Sequence, residues 1–481
     1  LNIDPRVAAL PEAPDAMRRR SLAAAVVVFA TCVLAGIVSW PGFATQDTMA
    51  VTSEALRGIY TTYHPLLNAL LLRALAVPFD SYGLYTAFQI ATCGLLFHRS
   101  LVLVARDSLR TWPTMLSVLL WAFSASTILF LGIIWKDVLT AYSMLYAAAL
   151  LYCLRSLPDW RPARFDAVLL GVALVLLTNL RHGMAMNFLV LPVLFGLRRV
   201  LAERRLAVPF AVAGAVFLVL AALGHSRLVR NDEVHYAELT IGAVSQPILS
   251  IASRDRYTSD DHSYDGALLL DVFGPDFREQ YKPDFLSNTV VLRDKASLDR
   301  AYRAIVLRTP RLCLLNLSRC LSGRIEMMLS TLQPSGVGTT FYELGAAGDC
   351  LHTYGMTPNY CAILSRFSTS ERLVIGDKLR DWLVARFVNN PGAVQNLLVW
   401  NLYPALALLL LVLVLRRFGS PQWLVAAFFA VQMSLPFATS MAADFRYYYF
   451  LAPYFFVFLP KFLVSVRVPG RRGPVPPTAS A

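Results

Sequence analysis

Long apolar runs recur along this chain, and they restrict its fold more than any single motif does. They lie at about 21–40, 81–104, 113–134, 138–154, 166–180, 184–197, 207–224, 396–415, 421–439 and 447–466. A helix of roughly 20 apolar residues spans the ~30 Å hydrocarbon core of a bilayer while satisfying its own backbone hydrogen bonds. The runs therefore predict an all-α polytopic membrane protein with about ten transmembrane helices. Composition agrees where it matters: 16% of the 481 residues are charged, against about 25% in soluble domains.

Arginine clusters test that count. Arg18 to Arg20, Arg99, Arg106 and Arg110, Arg155, Arg161 and Arg164, Arg198 to Arg205, Arg416 and Arg417, and the tail from Arg467 all fall on one side of a ten-span arrangement. By the positive-inside rule that side is cytoplasmic, with both termini on it. The resulting plan has a cytoplasmic tail at 1–20 and a transmembrane module at 21–224 whose first outer loop is 41–79. A mostly helical outer domain at 225–395, C-terminal transmembrane helices at 396–466 and a cytoplasmic tail at 467–481 complete it. The net charge of +13 belongs to these flanking arginines, and no basic, aromatic-interleaved domain stands apart for nucleic acid.

The opposite side collects ionisable groups at the ends of spans, the pattern of a shared polar site. The stretch WPGFATQDTMAVTSEALRGIYTTYHP brings Asp47, Glu54, Tyr63 and His64. Seven residues separate Asp47 from Glu54, so on a helix they share a face. Asp47 reads as a general base for an attacking hydroxyl; the competing reading is a helix cap after the Gly42 turn. Glu54 reads as a second acid or as an intrahelical partner of Arg57. His64, before Pro65, reads as a phosphate or acceptor contact or as a helix-start residue at the interface.

Other loops add to this surface. IIWKD brings Lys136 and Asp137, NLRHG brings Arg181 and His182, and ADFRYYY brings Asp444 and Arg446. Lys136, Arg181 and His182, and Arg446 suit phosphate oxygens, arginine through paired hydrogen bonds that lysine cannot copy. Tyr447 to Tyr449 read as an interfacial aromatic belt. No P-loop, Rossmann fingerprint or zinc spacing occurs.

In the outer region Cys350 and Cys361 could close a short loop on an oxidising face. Cys313 and Cys320, seven residues apart on an expected helix, would sit about 10 Å apart, beyond disulfide reach. Ser368 and Glu371 have capping-box spacing ahead of an amphipathic helix containing Leu379, Trp382 and Leu383.

The phrases PGFATQDT, YHPLLNALLL, IIWKD, NLRHG, DFRYYY and TPRLCLLNLSRCL, set in this topology, resemble the GT-C superfamily. Its members are integral-membrane glycosyltransferases that use polyprenyl-phosphate sugars, here of the bacterial envelope glycan-modifying type. The resemblance implies juxtamembrane helices in the first loop and inverting transfer from an undecaprenyl-phosphate sugar. The acceptor would be an envelope glycan or glycolipid, such as O-antigen or lipid A, at the periplasmic face of the inner membrane. Asp47 takes the place of the first-loop catalytic acid. Lys136, Arg181, His182 and Arg446 become donor-phosphate contacts; Tyr63, His64, Asp137 and Asp444 become donor or acceptor contacts. The common adjacent acid pair is absent, since Thr48 follows Asp47. Whether Glu54 or Asp137 shares the role, and whether a divalent metal takes part, stays open. Two other readings remain. One is an O-antigen polymerase or ligase with a diphosphate donor. The other is a lipid-linked-sugar transporter, for which Asn179 and Gln432 are the only mildly suggestive polar residues within spans.

Overall fold

The computed structural model describes residues 14–61, 64–105, 112–181, 183–226, 229–230, 313–314, 317–332, 358–368, 373–386, 401–439 and 445–465. Tyr63, His182, Cys350, Glu371 and Asp444 lie outside these residues, as do all of 231–312 and 333–357 and both tails.

The described chain is 84% helical. Helix α1 (Pro14–Ser39) leads into two short helices, α2 (Gln46–Arg57) and α3 (Leu66–Leu75). Then come α4 (Gly83–Val104), α5 (Trp112–Phe123), α6 (Ala125–Gly132), α7 (Lys136–Ser156), α8 (Arg164–Asn179), α9 (Asn187–Phe195), α10 (Leu197–Ala202) and α11 (Arg204–Gly224). The polar region contributes α12 (Leu317–Leu332), α13 (Pro358–Ser368) and α14 (Val374–Val384). Helices α15 (Tyr403–Leu415), α16 (Pro421–Thr439) and α17 (Leu451–Ser465) follow, with a 3-10 turn at Phe445–Tyr448 ahead of the last. Among the described residues the one sheet is a two-residue parallel pair, Tyr60–Thr61 (β1) against Val229–Arg230 (β2).

Among the described residues five helices are long and apolar enough to cross a membrane: Leu22–Ser39 of α1, α4, α7, α11 and Pro421–Ala438 of α16. Run 113–134 is two helices rather than one, bent by 55° at Ser124, and makes a sixth crossing if taken as a unit. Ser124 is extended and its hydroxyl lies 2.7 Å from that of Ser126; short polar side chains of this kind favour local bonds over continued helix. The apolar segments Met184–Phe195, Tyr403–Leu415 and Leu451–Leu463 are shorter.

Helix α7 is the post around which the others stand, packed by α4, α8, α16 and α17 and buried throughout its membrane-length window. Small residues (Thr140, Ser143 and Ala147 to Ala149) let neighbours approach closely where lipid supplies no hydrophobic drive for helix association. Its tyrosines keep their hydroxyls satisfied: Trp121 Nε1 donates to Tyr142 Oη at 3.1 Å, and Tyr146 Oη donates to the Asp166 carbonyl at 3.1 Å. A helix buried on every side meets water only at its ends, and the N-terminal end of α7 is Lys136 and Asp137.

Two expectations need correction. Cys313 and Cys320 are disulfide-bonded, their Cα atoms 5.5 Å apart. A Cα separation of 5.5 Å is much shorter than seven residues of continuous helix would give, so the 10 Å helical separation does not apply. Cys361 is also disulfide-bonded. The amphipathic helix bearing Trp382 exists, yet Ser368 closes α13 instead of capping it; the cap of α14 is Leu373, with no side-chain bond.

Candidate active site

The segment between α1 and α2 is seated into the break between α6 and α7. Phe43 pairs with Ile133 in a parallel bridge: Phe43 N donates to Gly132 O and Ile134 N donates to Phe43 O, each at 2.9 Å. Gln89 Nε2, within α4, donates to the carbonyls of Leu131 and Ile133 at 2.9 and 2.6 Å. Gly42 makes the approach feasible, because its φ of +144° suits glycine and a Cβ there would strike Thr86 and Ile134.

This docking fixes the start of α2. Thr45 is the N-cap, accepting from Thr48 N at 3.3 Å, while Thr48 Oγ1 accepts from Thr45 N at 3.1 Å. The same hydroxyls reach across the break: Trp135 Nε1 donates to Thr45 Oγ1 at 2.7 Å and Thr48 Oγ1 donates to Ile134 O at 2.9 Å. The capping reading of Asp47 is thereby replaced, since threonine holds the cap and Asp47 sits in the first turn, where a carboxylate also suits the helix dipole.

Asp47 lies beside Lys136, Oδ2 to Nζ 3.8 Å, with 28% of its side chain exposed. One residue on, Asp137 in the first turn of α7 is nearly buried and pairs with Arg181 Nη1 at 2.9 Å. The Arg181 guanidinium also lies 5.2 Å from the centre of the Tyr447 ring, within cation–π range. Four charges of alternating sign thus line the N-terminal end of α7. The pairs differ in kind. A partly exposed pair at 3.8 Å contributes ~0–1 kcal/mol, whereas breaking a buried one costs about 3–5 kcal/mol.

The turn before α17 closes this side. Tyr448 is buried and its hydroxyl has no hydrogen-bond partner. Burial pushes that phenol above its ordinary range, opposed by the positive charges of Arg324 and Arg181. Arg324 of α12 is 8% exposed and so brings a fifth charge to this region from the polar domain. Sequence reading missed it; an arginine on the apolar-flanked face of LSRCLSGRIEMML was its only signal. Arg446 lies in the same turn.

A cavity of about 700 Å³ opens next to Arg181, walled by His64, Thr178, Asn179, His225 and residues of α3 and α11. Asp47, Lys136 and Glu54 are not part of its wall. Arg181 is the element shared by the charged row and the cavity. His64 is 5% exposed, a wall residue at the start of α3.

Glu54 plays a different part from that of Asp47. It is buried, and its carboxylate accepts from Thr61 Oγ1 at 2.6 Å and from Thr61 N at 3.3 Å. Those bonds hold β1, and with it β2, against α2. Arg57 turns back to donate to the Ser53 carbonyl at 3.2 Å. Gln432 pairs reciprocally with Asn187, at 2.8 and 3.3 Å, and Asn179 donates to Val175 O at 2.9 Å; both amides have internal partners.

Among the described residues no three His, Cys, Asp or Glu side chains gather as a metal site would require. The two carboxylates of the row each face a cation instead. Chemically, the arrangement offers a partly exposed carboxylate beside Lys136, a buried carboxylate paired with Arg181, and a roomy cavity whose wall includes Arg181. No known protein family, curated protein or solved structure matches this chain.

Proposed function

We propose that this chain is an inverting glycosyltransferase of the bacterial inner membrane. It moves a sugar from an undecaprenyl monophosphate to an envelope glycan or glycolipid. The observation that carries the reading is the Asp47–Lys136 pair, an accessible carboxylate 3.8 Å from a lysine, on a loop held in place by the Phe43–Ile133 bridge. Asp47 takes the proton of the acceptor hydroxyl as its oxygen attacks the anomeric carbon from the face opposite the phosphate. The carbon–oxygen bond to phosphate breaks, and its electron pair stays on the departing polyprenyl phosphate. Lys136 and Arg181 face the charge that develops there, where preorganised positive groups act most strongly. The weak hold of Lys136 on Asp47 lets it turn to the phosphate.

In this reading the fold is GT-C-like. The bent pair α5–α6, α8 and the three shorter apolar segments join the five long helices as ten crossings. The row of charges faces the periplasm, and the arginine-rich loops and both termini face the cytoplasm. The acceptor approaches from the side of α12 to α14.

The test uses purified protein in detergent with a panel of undecaprenyl-phosphate sugars, following loss of the sugar from the lipid. One donor should turn over with the wild type and not with Asp47→Asn. Equal turnover by the mutant would remove Asp47 from the mechanism. Turnover of diphosphate-linked donors alone would favour a polymerase or ligase.

A further inference from the structure

The opposite end of the bundle carries a second feature that the transfer reaction does not use. Helices α8 and α11 both begin in the arginine-rich loops and pack together, and between them runs an open groove of about 450 Å³. Its walls are apolar: Val168 and Val172 from α8, Val208 and Val212 from α11, each pair four residues apart and each side chain exposed. The mouth is formed by Arg204 and Arg205, the first two residues of α11.

Among the described residues neither arginine at that mouth has an ion-pair partner. Two acids close by in the chain are engaged elsewhere, Glu203 by Arg199 at 3.0 Å and Asp166 by Arg99 at 2.6 Å. Arg204 has no ion-pair or hydrogen-bond partner among the described residues. Arg205 uses one nitrogen, Nη1, on the Pro162 carbonyl at 2.9 Å, which leaves the rest of its fork open. The positive end of the α11 dipole adds to the field. From Ala167 to Leu176 the groove follows α8 for about 13 Å, close to the ~15 Å depth of one leaflet's hydrocarbon.

We infer that this groove seats an anionic phospholipid of the leaflet on the arginine-rich side, its phosphate against Arg204 and Arg205 and one acyl chain along the valines. Charge complementarity decides the headgroup: two arginines at a helix start favour a net negative lipid over a zwitterionic one. The groove decides that the ligand is a lipid and not a free anion. The inference does not depend on the reaction catalysed at the other end.

The test is native mass spectrometry of protein purified in mild detergent and incubated with phosphatidylglycerol or phosphatidylcholine. Phosphatidylglycerol should be retained preferentially. Arg204→Gln should lower its retention about fivefold, the contribution expected of one arginine near an anionic headgroup. Val172→Trp fills the groove with every charge in place and should lower retention as well. Both positions are exposed, and an unchanged thermal transition in detergent checks that the variants fold. Equal retention of the two lipids would overturn the inference. So would phosphatidylglycerol binding that survives Val172→Trp, since the chain would then lie elsewhere.

Discussion

Two charged clusters sit at opposite ends of the helical bundle and are built differently. In the one joining α4 to the start of α8, Arg99 grips Asp166 with two parallel bonds, 2.6 Å to Oδ1 and 2.9 Å to Oδ2. Tyr146 Oη donates to Oδ1 at 3.2 Å and Ala163 N to Oδ2 at 3.2 Å. Each carboxylate oxygen has two donors, and the acid is 1% exposed. In the cluster at the start of α7 Asp47 faces Lys136 across 3.8 Å with its side chain partly exposed. A saturated network fixes helices α4, α7 and α8 together and has no capacity for a ligand. An ion pair of 3.8 Å with a partly exposed carboxylate contributes little to stability. The location of charge does not separate the two clusters; burial and closeness of the pair do, 1% exposure and 2.6 Å against 28% and 3.8 Å.

Mutation can break this contrast. Asp166→Ala leaves a partly buried guanidinium and the Tyr146 hydroxyl without their acid. It should cost about 3–5 kcal/mol, read as a large fall in thermal transition in detergent. A small fall would show that the Asp166 cluster is not the structural one. Asp47→Asn should do the reverse: transfer drops about 10²–10⁴-fold, the usual worth of a general base, while stability stays within about 0.5 kcal/mol. Loss of fold in that variant would make Asp47 a structural residue like Asp166.

Arg181→Lys sharpens the contrast, because the lysine can still neutralise Asp137 but loses the planar fork. The protein should stay folded while kcat/KM for the donor falls about tenfold, equivalent to ~1.4 kcal/mol. An unchanged rate would assign Arg181 wholly to its ion pair. The smallest effect belongs to Thr45→Ala, which removes the cap of α2 and the acceptor of the Trp135 indole. It should cost about 1 kcal/mol of stability, with a modest loss of rate as Asp47 loosens.

Much of the cluster at the start of α7 was legible in sequence because its residues stand beside apolar runs, where a charge needs a reason. Asp47, Lys136, Asp137 and Arg181 were singled out on that ground, and they meet around the start of α7. Glu54 was read by its helical spacing from Asp47. That spacing holds, yet a carboxylate seven residues away turned to Thr61, a contact that only the β1 pairing creates. Asp166 went unnoticed because it sits among arginines, where one acid looks like local balance. Arg324 was hidden in the polar region, since its burial depends on how α12 packs against the 445–448 turn. The cap of α2 was also hidden: Thr45 and Thr48 form a box with threonine at both ends, and the familiar pattern places Glu or Gln at the second. The apolar runs located the helices well but not the bend at Ser124, which depends on local hydroxyl bonding.

The bridge between Phe43 and Ile133 also bears on how this protein could be recombined with another. Segments 43–48 and 132–137 are far apart in the chain, but they exchange backbone bonds, an indole bond and a threonine bond. A chimera that transplants the first segment alone would strand the Trp135 indole and the Ile134 carbonyl, and would leave Lys136 opposite a stranger. The two segments form one inheritable unit, and a graft that keeps the arrangement around Asp47 has to carry both.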